Sequence, residues 1–207
     1  MRFAILLDGD FVLRKLKPVL RHRPTADDIV ELTNKIQESS HLKGGTLLRS
    51  YFYHAPPYSG VLTNPINQTR TNYSETDTFS YSSQLLDQLE LKPNFALRLG
   101  EISNQGWKLG NSAMRNLVSS PRQLQPNDLQ ANLVQKGVDL RIGLDISRLA
   151  FKNLADVIVV VTGDSDLIPA FKLARREGIK IYLDHLGHGI KRDLKAHADV
   201  VLTTNLN

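Results

Sequence analysis

Two stretches of the chain share one pattern, an uninterrupted apolar run followed by a short acidic turn. The run VIVVV at residues 157–161 leads into the turn TGDSD at residues 162–166. The run FAILL at residues 3–7 leads in the same way into DGD at residues 8–10. Apolar runs of this length predict strands that are buried on both faces, as in a parallel sheet.

Apolar residues spaced three and four apart alternate with further strand-like runs along the chain. Helices are predicted within residues 11–20, 25–43, 85–91, 138–150, 167–176 and 191–198. Further strands are predicted at residues 46–54, 95–100, 179–183 and 199–202. This alternation predicts an α/β fold with a mainly parallel central sheet. With 207 residues, we expect one domain that spans residues 1–207.

Two segments lack such a pattern. Residues 55–83 are rich in Ser, Thr, Asn and Tyr, which predicts a long polar loop. Residues 101–126 show no clear period, and we expect an irregular segment there.

The composition excludes some kinds of functional site and permits others. The chain has no cysteine, which excludes disulfides, thiol catalysis and cysteine-ligated zinc or iron–sulfur sites. The net charge of +5 permits a polyanionic partner without requiring one. The apolar N-terminal run is too short for a signal peptide, and no run approaches the roughly 20 residues of a membrane span. We therefore expect a cytoplasmic protein with no membrane partner.

The paired acids lie where a functional site is most expected. Asp164 and Asp166 follow one predicted strand, and Asp8 and Asp10 follow another. Ligands of parallel sheets gather beyond the carboxyl ends of the strands, so the two pairs converge if the strands are neighbours. Clustered anions favour a bound cation or a raised pKa. The alternative is a local role, in which these aspartates only cap helices or shape turns.

The helix predicted from residue 138 carries two more acids. Asp139 lies in its first turn, from which it could reach the sheet edge or interact with the helix dipole alone. Asp145 lies inside the apolar stripe, where an unpartnered carboxylate is costly. We interpret Asp145 as a residue that orients a neighbour or a metal-bound water. The apolar stripe consists of Val138, Ile142, Ile146 and Leu149.

In order and spacing, these motifs resemble the NYN domain, a branch of the PIN-like nuclease superfamily that includes the LabA-like proteins. The resemblance covers nearly the whole chain. The motifs are Ile5-Leu6-Leu7-Asp8-Gly9-Asp10, Tyr53-His54-Ala55-Pro56-Pro57, Phe95-Ala96-Leu97-Arg98-Leu99-Gly100, Gln135-Lys136-Gly137-Val138-Asp139, Gly143-Leu144-Asp145 and Thr162-Gly163-Asp164-Ser165-Asp166-Leu167-Ile168-Pro169.

The resemblance implies a Rossmann-like, PIN-like three-layer α/β/α sandwich that binds Mg²⁺ or Mn²⁺ and cuts RNA by metal-assisted hydrolysis. The metal-binding and catalytic residues would be Asp8, Asp139, Asp164 and Asp166. Residues that support them would be Asp10, Asp145, Thr162 and Ser165. Candidates to contact the RNA backbone are Arg14, Lys15, Lys17, Lys136 and Arg141. The sequence leaves homo-oligomer formation open.

Two other functions fit parts of the sequence. Residues 8–12 also match the DxDx[TV] pattern of haloacid-dehalogenase-like phosphatases, in which Asp8 would be a covalent nucleophile. Phe11 stands where the NYN family often carries Asn, which makes a non-catalytic RNA-binding or regulatory module the second alternative. His185 and His188 lack a zinc-binding spacing, and we expect them to be structural or incidental.

Overall fold

The computed structural model describes residues 1–206. The strands are β1 (Arg2–Asp8), β2 (Thr46–His54), β3 (Val61–Thr63), β4 (Arg70–Asn72), β5 (Phe95–Leu99), β6 (Glu101–Leu109), β7 (Leu129–Lys136), β8 (Val157–Val161), β9 (Lys180–Asp184) and β10 (Val200–Leu202). The helices are α1 (Gly9–Leu20), α2 (Ala26–Gln37), α3 (Asp77–Glu90), α4 (Asn111–Ser119), α5 (Val138–Phe151), α6 (Ile168–Arg176) and α7 (Arg192–Ala196). Short 3₁₀ turns span Tyr73–Glu75, Pro126–Asp128 and Ser165–Leu167.

The chain forms two compact units. The first contains residues 1–54, 85–100 and the chain from residue 137 onward. The second contains residues 55–84 and 101–136. The single-domain organisation expected from length stays a prediction.

A six-stranded parallel sheet forms the centre of the first unit. Its strand order is β10-β9-β8-β1-β2-β5, so β1 lies between β8 and β2. All five residues of β8 are buried, and since successive side chains of a strand point to opposite faces, both faces of the sheet are covered. The predicted α/β fold with a parallel sheet and flanking helices, as in PIN-like Rossmann folds, is confirmed.

The helices of this unit bury the predicted apolar stripes. Val138, Ile142, Ile146 and Leu149 of α5 are all buried, and α5 contacts β1, β2 and β5. Helix α6 begins after the 3₁₀ turn and packs against β9. Thr25 caps α2 in a capping box with Asp28, as its position before the apolar stripe indicates. Within residues 1–206, no helix combines the length and the apolar composition that crossing a membrane requires.

The second unit corrects two predictions. The segment predicted as a polar loop contains the β3–β4 hairpin and the first turns of α3. The segment predicted as irregular contains β6, which pairs with β7, and helix α4. The β6–β7 register shifts between Asn104 and Trp107, around Gly106 at φ +81°. This bulge interrupts the alternation of apolar and polar residues that would have predicted a strand.

Gly9 joins β1 to α1 at a close approach of backbones. A Cβ atom at this position would lie 2.5 Å from the carbonyl oxygen of Tyr53 and 2.9 Å from the ring of Phe52. Backbone and a buried ring cannot move aside without shifting β2. A residue without a side chain is therefore required where the chain leaves β1.

We expect Gly9→Ala to lower the free energy of unfolding by about 2 kcal/mol or more, because it overpacks the β1–β2 edge. Gly143→Ala is the matched control, since a Cβ there meets only Ala170 at 3.9 Å inside helix α5. The control should be neutral or stabilising by up to about 1 kcal/mol. Urea unfolding followed by circular dichroism measures both, and equal midpoints for the two variants would contradict the close-approach argument.

Candidate active site

Neighbouring strands bring the two acidic turns to one edge of the sheet. Strands β1 and β8 pair in parallel, with Leu7 opposite Val161, so Asp8 and the turn after β8 leave the same edge. Helix α5 begins nearby, and its first turn carries Asp139. Partial burial, followed by the negative charges of Asp164, Asp166 and Asp10, raises the pKa of Asp139. Acids from three separate parts of the sequence therefore act on one another electrostatically.

Asp8 is held in place by two hydrogen bonds. Its Oδ1 accepts from the backbone N–H of Phe11 at 3.2 Å, which caps helix α1. Its Oδ2 accepts from the hydroxyl of Thr162 at 3.0 Å. Burial nevertheless raises the pKa of Asp8 to about 6, and the negative charges of Asp139 and Asp10 add to that increase. The two hydrogen bonds lower the pKa but do not outweigh burial.

Asp164 also has a structural partner. Its Oδ1 accepts from the backbone N–H of Asp166 at 2.9 Å and caps the 3₁₀ turn before α6. Its own N–H donates to the Thr162 hydroxyl at 3.1 Å, so this buried threonine links Asp8 to Asp164. The capping roles considered for Asp8 and Asp164 are present. Despite these roles, each carboxylate still interacts electrostatically with Asp139.

No cation neutralises this cluster within residues 1–206. Asp8, Asp139, Asp164 and Asp166 form no ion pair with any lysine, arginine or histidine in that range. Other acids of the same unit do have such partners, for example Asp199 with Arg175 at 3.0 Å. The cluster therefore lacks the neutralisation by which proteins usually accommodate converging carboxylates.

The donor set suits a hard divalent cation, although no complete ligand cage is formed. Among residues 1–206, no three acidic or histidine side chains are placed to hold a metal ion together. Magnesium commonly binds through one or two carboxylates and completes its shell with waters and substrate phosphates. Oxygen ligands that carry uncompensated charge fit that mode, and the absence of cysteine agrees with it.

Asp10 lies at the edge of the cluster and has a partner that sequence analysis missed. The Nδ1 atom of His54 lies 3.5 Å from Oδ1 of Asp10. Burial lowers the pKa of His54, and the negative charge of Asp10 opposes that decrease. His54 ends β2, beside β1. In the sequence it stands at the carboxyl end of a predicted strand and within the motif Tyr53-His54-Ala55-Pro56-Pro57, and neither feature predicts its contact with Asp10.

Asp145 is explained by protein partners. One carboxylate oxygen accepts from the hydroxyl of Tyr53 and from Nε of Arg98, each at 2.9 Å. The Arg98 guanidinium also lies 5.0 Å from the ring centre of Tyr51. This ion pair and this hydrogen bond offset the free-energy cost of placing the Asp145 carboxylate in the apolar stripe. Its predicted role of orienting a metal-bound water is not needed to account for its position.

The five basic residues predicted to contact the RNA backbone differ in their exposure and in the unit to which they belong. Arg14 and Lys17 are exposed on α1, and Arg141 is exposed on α5. Lys136 ends β7 in the second unit. Lys15 is half-buried, and its Nζ lies 2.8 Å from Nδ1 of His188.

Two remaining residues of the turn differ in their surroundings. Thr162 is fully buried and bonded to both acidic strand ends. Ser165 is half-buried in the 3₁₀ turn, and its hydroxyl forms no hydrogen bond with the residues that the structure describes. Phe11 is buried beside Gly163, and its ring packs edge to face with that of His188, with ring centres 5.8 Å apart.

Residues 103–205 match the family model of the NYN domain. This supports the NYN resemblance drawn from the motifs, and it leaves the LabA-like branch untested. The matched range contains Asp139, Asp164 and Asp166, whereas Asp8 and Asp10 precede it. No curated protein sequence matches the chain.

Solved structures resemble the fold. A protein of unknown function from Vibrio parahaemolyticus aligns with a TM-score of 0.54 at 13% identity, over 99% of this chain and 93% of that chain. A structure of Sir2Tm bound to a propionylated peptide aligns with a TM-score of 0.37 at 10% identity, over 97% of this chain and 86% of that chain. The first likeness concerns the fold alone, and the second is too weak to carry an argument.

The raised pKa of Asp8 predicts a pH-dependent effect of its removal. With a pKa of about 6 in the folded protein against the ordinary 3.8, the stability that Asp8 contributes is fully present below pH 3.8. It is lost as the pH rises through about 6. Asp8→Asn removes this loss, so at pH 7.5 the variant should be more stable than wild type by on the order of 2 kcal/mol.

Urea unfolding of wild type and Asp8→Asn between pH 4 and pH 8 measures this difference, which should vanish near the acidic end. Asp87→Asn, a change of an exposed acid on α3, is the control and should show no such trend. An Asp8→Asn variant that is less stable than wild type at pH 7.5 would contradict the uncompensated burial of this carboxylate.

Proposed function

We propose that the protein is a divalent-metal-dependent ribonuclease that hydrolyses RNA phosphodiester bonds at the acidic cluster. The cluster consists of Asp8, Asp139, Asp164 and Asp166. One observation carries the proposal. These acids lie at the carboxyl edge of a parallel sheet and have no cationic partner within residues 1–206, and neighbouring negative charges add to the burial that raises the pKa of Asp8 and of Asp139.

The match to the NYN family supports RNA hydrolysis as the reaction. NYN domains are PIN-like nucleases, which generally use divalent metals and act on RNA. The NYN match covers three of the four acids, and the sheet brings the fourth, Asp8, to the same edge. The family match and the position of Asp8 beside the turn after β8 both support the proposal.

The protein's own residues would hold and orient the reacting groups. One or two of Asp8, Asp139 and Asp164 would ligate the metal directly, and the remaining carboxylates, with Asp166 at the exposed side, would bind waters of its shell. A divalent ion bound here would supply an activated water and positive charge against the phosphate. Thr162 keeps Asp8 oriented by donating to Oδ2 and keeps the Asp164 backbone in place by accepting its N–H.

Arg14, Lys15, Lys17 and Arg141 belong to the same unit as the acids, and we propose that they bind the RNA backbone. Lys136, in the second unit, is a further candidate for this role. Binding through such residues should weaken steeply as salt rises, because each neutralised phosphate releases counterions.

The direct test is cleavage of mixed RNA by purified wild type in Mg²⁺, in Mn²⁺ and in EDTA. We expect cleavage with either metal and none in EDTA. Asp139→Asn and Asp164→Asn should each reduce the rate by roughly 100-fold or more, because each removes a negative oxygen ligand. Asp87→Asn removes an exposed acid outside the cluster and should leave the rate unchanged.

The outcomes separate the rival functions. Equal cleavage by wild type and Asp164→Asn would show a contaminant and refute the nuclease. Phosphate release from a small phosphomonoester without RNA cleavage, lost in Asp8→Asn, would favour the phosphatase alternative. RNA binding that persists in EDTA, without cleavage in Mn²⁺, would favour a non-catalytic module.

Metal binding also has a readout that does not require turnover. A cation that binds only the folded protein raises its melting temperature according to its concentration. We expect Mn²⁺ to raise the melting temperature of wild type and to have less than half that effect on Asp139→Asn. Differential scanning fluorimetry with matched Mn²⁺ and EDTA samples measures this, and an equal shift in both proteins would place the metal elsewhere.

A further inference from the structure

The contact between Lys15 and His188 determines which nitrogen of the histidine ring carries a proton. Nζ of Lys15 lies 2.8 Å from Nδ1 of His188. A lysine ammonium can only donate, so Nδ1 must be the acceptor and carries no hydrogen. The ring proton of the neutral imidazole is therefore on Nε2. Among residues 1–206, no group accepts a hydrogen bond from that Nε2–H.

The same ring edge faces the acidic turn. Cδ2 of His188, the carbon bonded to Nε2, would lie 3.1 Å from a Cβ atom at Gly163. Gly163 directly precedes Asp164. The unused donor of His188 thus lies on the side of the ring that borders the acidic cluster.

The loop that presents His188 is anchored at its start. Oδ1 of the fully buried Asp184 accepts from the backbone N–H of Leu186 at 2.9 Å, and the N–H of His188 donates to the carbonyl of His185 at 2.7 Å. The carbonyl of Asp184 also accepts from the N–H of Thr162 at 3.2 Å. The loop is therefore tied to the residue that orients the acids.

The ring of Phe11 lies beside both Lys15 and His188. Its buried ring meets the His188 ring edge to face, and Nζ of Lys15 lies 5.8 Å from its centre. An aromatic face attracts a cation and restricts the lysine stem. Two donors from distant parts of the sequence are thus held together over one ring, beside the acids.

We propose that Lys15 and His188 form a phosphate-binding pair that contacts the RNA backbone next to the acidic cluster. The inference rests on the proposed ribonuclease function and adds His188 to it. The Nε2–H of His188 donates to a non-bridging phosphate oxygen, and the Lys15 ammonium adds positive charge and keeps the ring in its tautomer. The pair offsets the repulsion between substrate phosphates and the aspartates. No proton is transferred.

The test is steady-state cleavage of a short single-stranded RNA in Mn²⁺ by single variants of the full chain. His188→Phe keeps a ring against Phe11 and removes both nitrogens, and should raise KM about tenfold while kcat stays within about twofold. His188→Gln, which can place an amide N–H near the Nε2 position, should recover about half of that loss on a logarithmic scale. Lys15→Met should raise KM to a similar extent.

Lys152→Gln is the charge-matched control. Lys152 is exposed and follows α5, at the end of the unit where β8 begins rather than where it ends. This variant should change KM by less than about twofold. If wild type cleaves RNA and His188→Phe behaves like Lys152→Gln, the phosphate-binding role of His188 is overturned and the ribonuclease stands. If wild type neither cleaves nor binds RNA, the proposed function itself fails.

A second measurement does not depend on activity. Long-range ¹H–¹⁵N spectra of the histidine side chains should show His188 with a protonated Nε2 and a bare Nδ1 in wild type. Lys15→Met should convert it to a mixture of tautomers. Adding uncleaved RNA in EDTA should shift the Nε2 resonance of wild type. An Nδ1-protonated ring in wild type, or no RNA-induced shift, would overturn the pair.

Discussion

The parallel pairing of β1 with β8 is the constraint on which the rest of the site depends. Leu7 lies opposite Val161, so strands β1 and β8 end at the same edge of the sheet and at the same level. Each run is apolar throughout and packs with all its residues buried, which leaves the register little freedom. The acidic turns that follow these runs therefore begin at the same edge of the sheet. The raised pKa of Asp8 reports mainly the cost of burying its carboxylate, to which the negative charges of Asp139 and Asp10 add.

The acids of this edge fall into two groups that differ in how their charge is handled. Asp145 has an ion pair with Arg98 and a hydrogen bond from Tyr53, whereas the histidine beside Asp10, His54, has a pKa that burial lowers and does not neutralise the carboxylate. Asp8 has hydrogen bonds but no cation, and burial outweighs them. A hydrogen bond from a neutral donor fixes the direction of a carboxylate without cancelling its charge. Asp8 is therefore held in one orientation while its negative charge stays without a counter-charge. A cation that binds beside it would supply that counter-charge.

Sequence periodicity predicted those parts of the fold that carry continuous or regular apolar patterns. The buried run of β8 and the stripe of α5 were both correct because each is read from neighbouring residues alone. The β6–β7 pair was missed because the bulge at Gly106 breaks the alternation. The contacts of His54 with Asp10 and of His188 with Lys15 could not be predicted for another reason. The members of each pair are distant in sequence and become neighbours only in the folded chain.

Phe11 shows how one position can be interpreted differently once its surroundings are known. The resemblance to the NYN family places Phe11 where that family often carries Asn, and on sequence alone this suggests a loss at the site. In the structure its ring fills the space beside Gly163, where any side chain on the glycine would collide with it. The same ring contacts His188 and lies under the Lys15 ammonium. An apolar residue here therefore organises polar neighbours, because an aromatic face can hold a cation and a histidine edge that a short amide could not span.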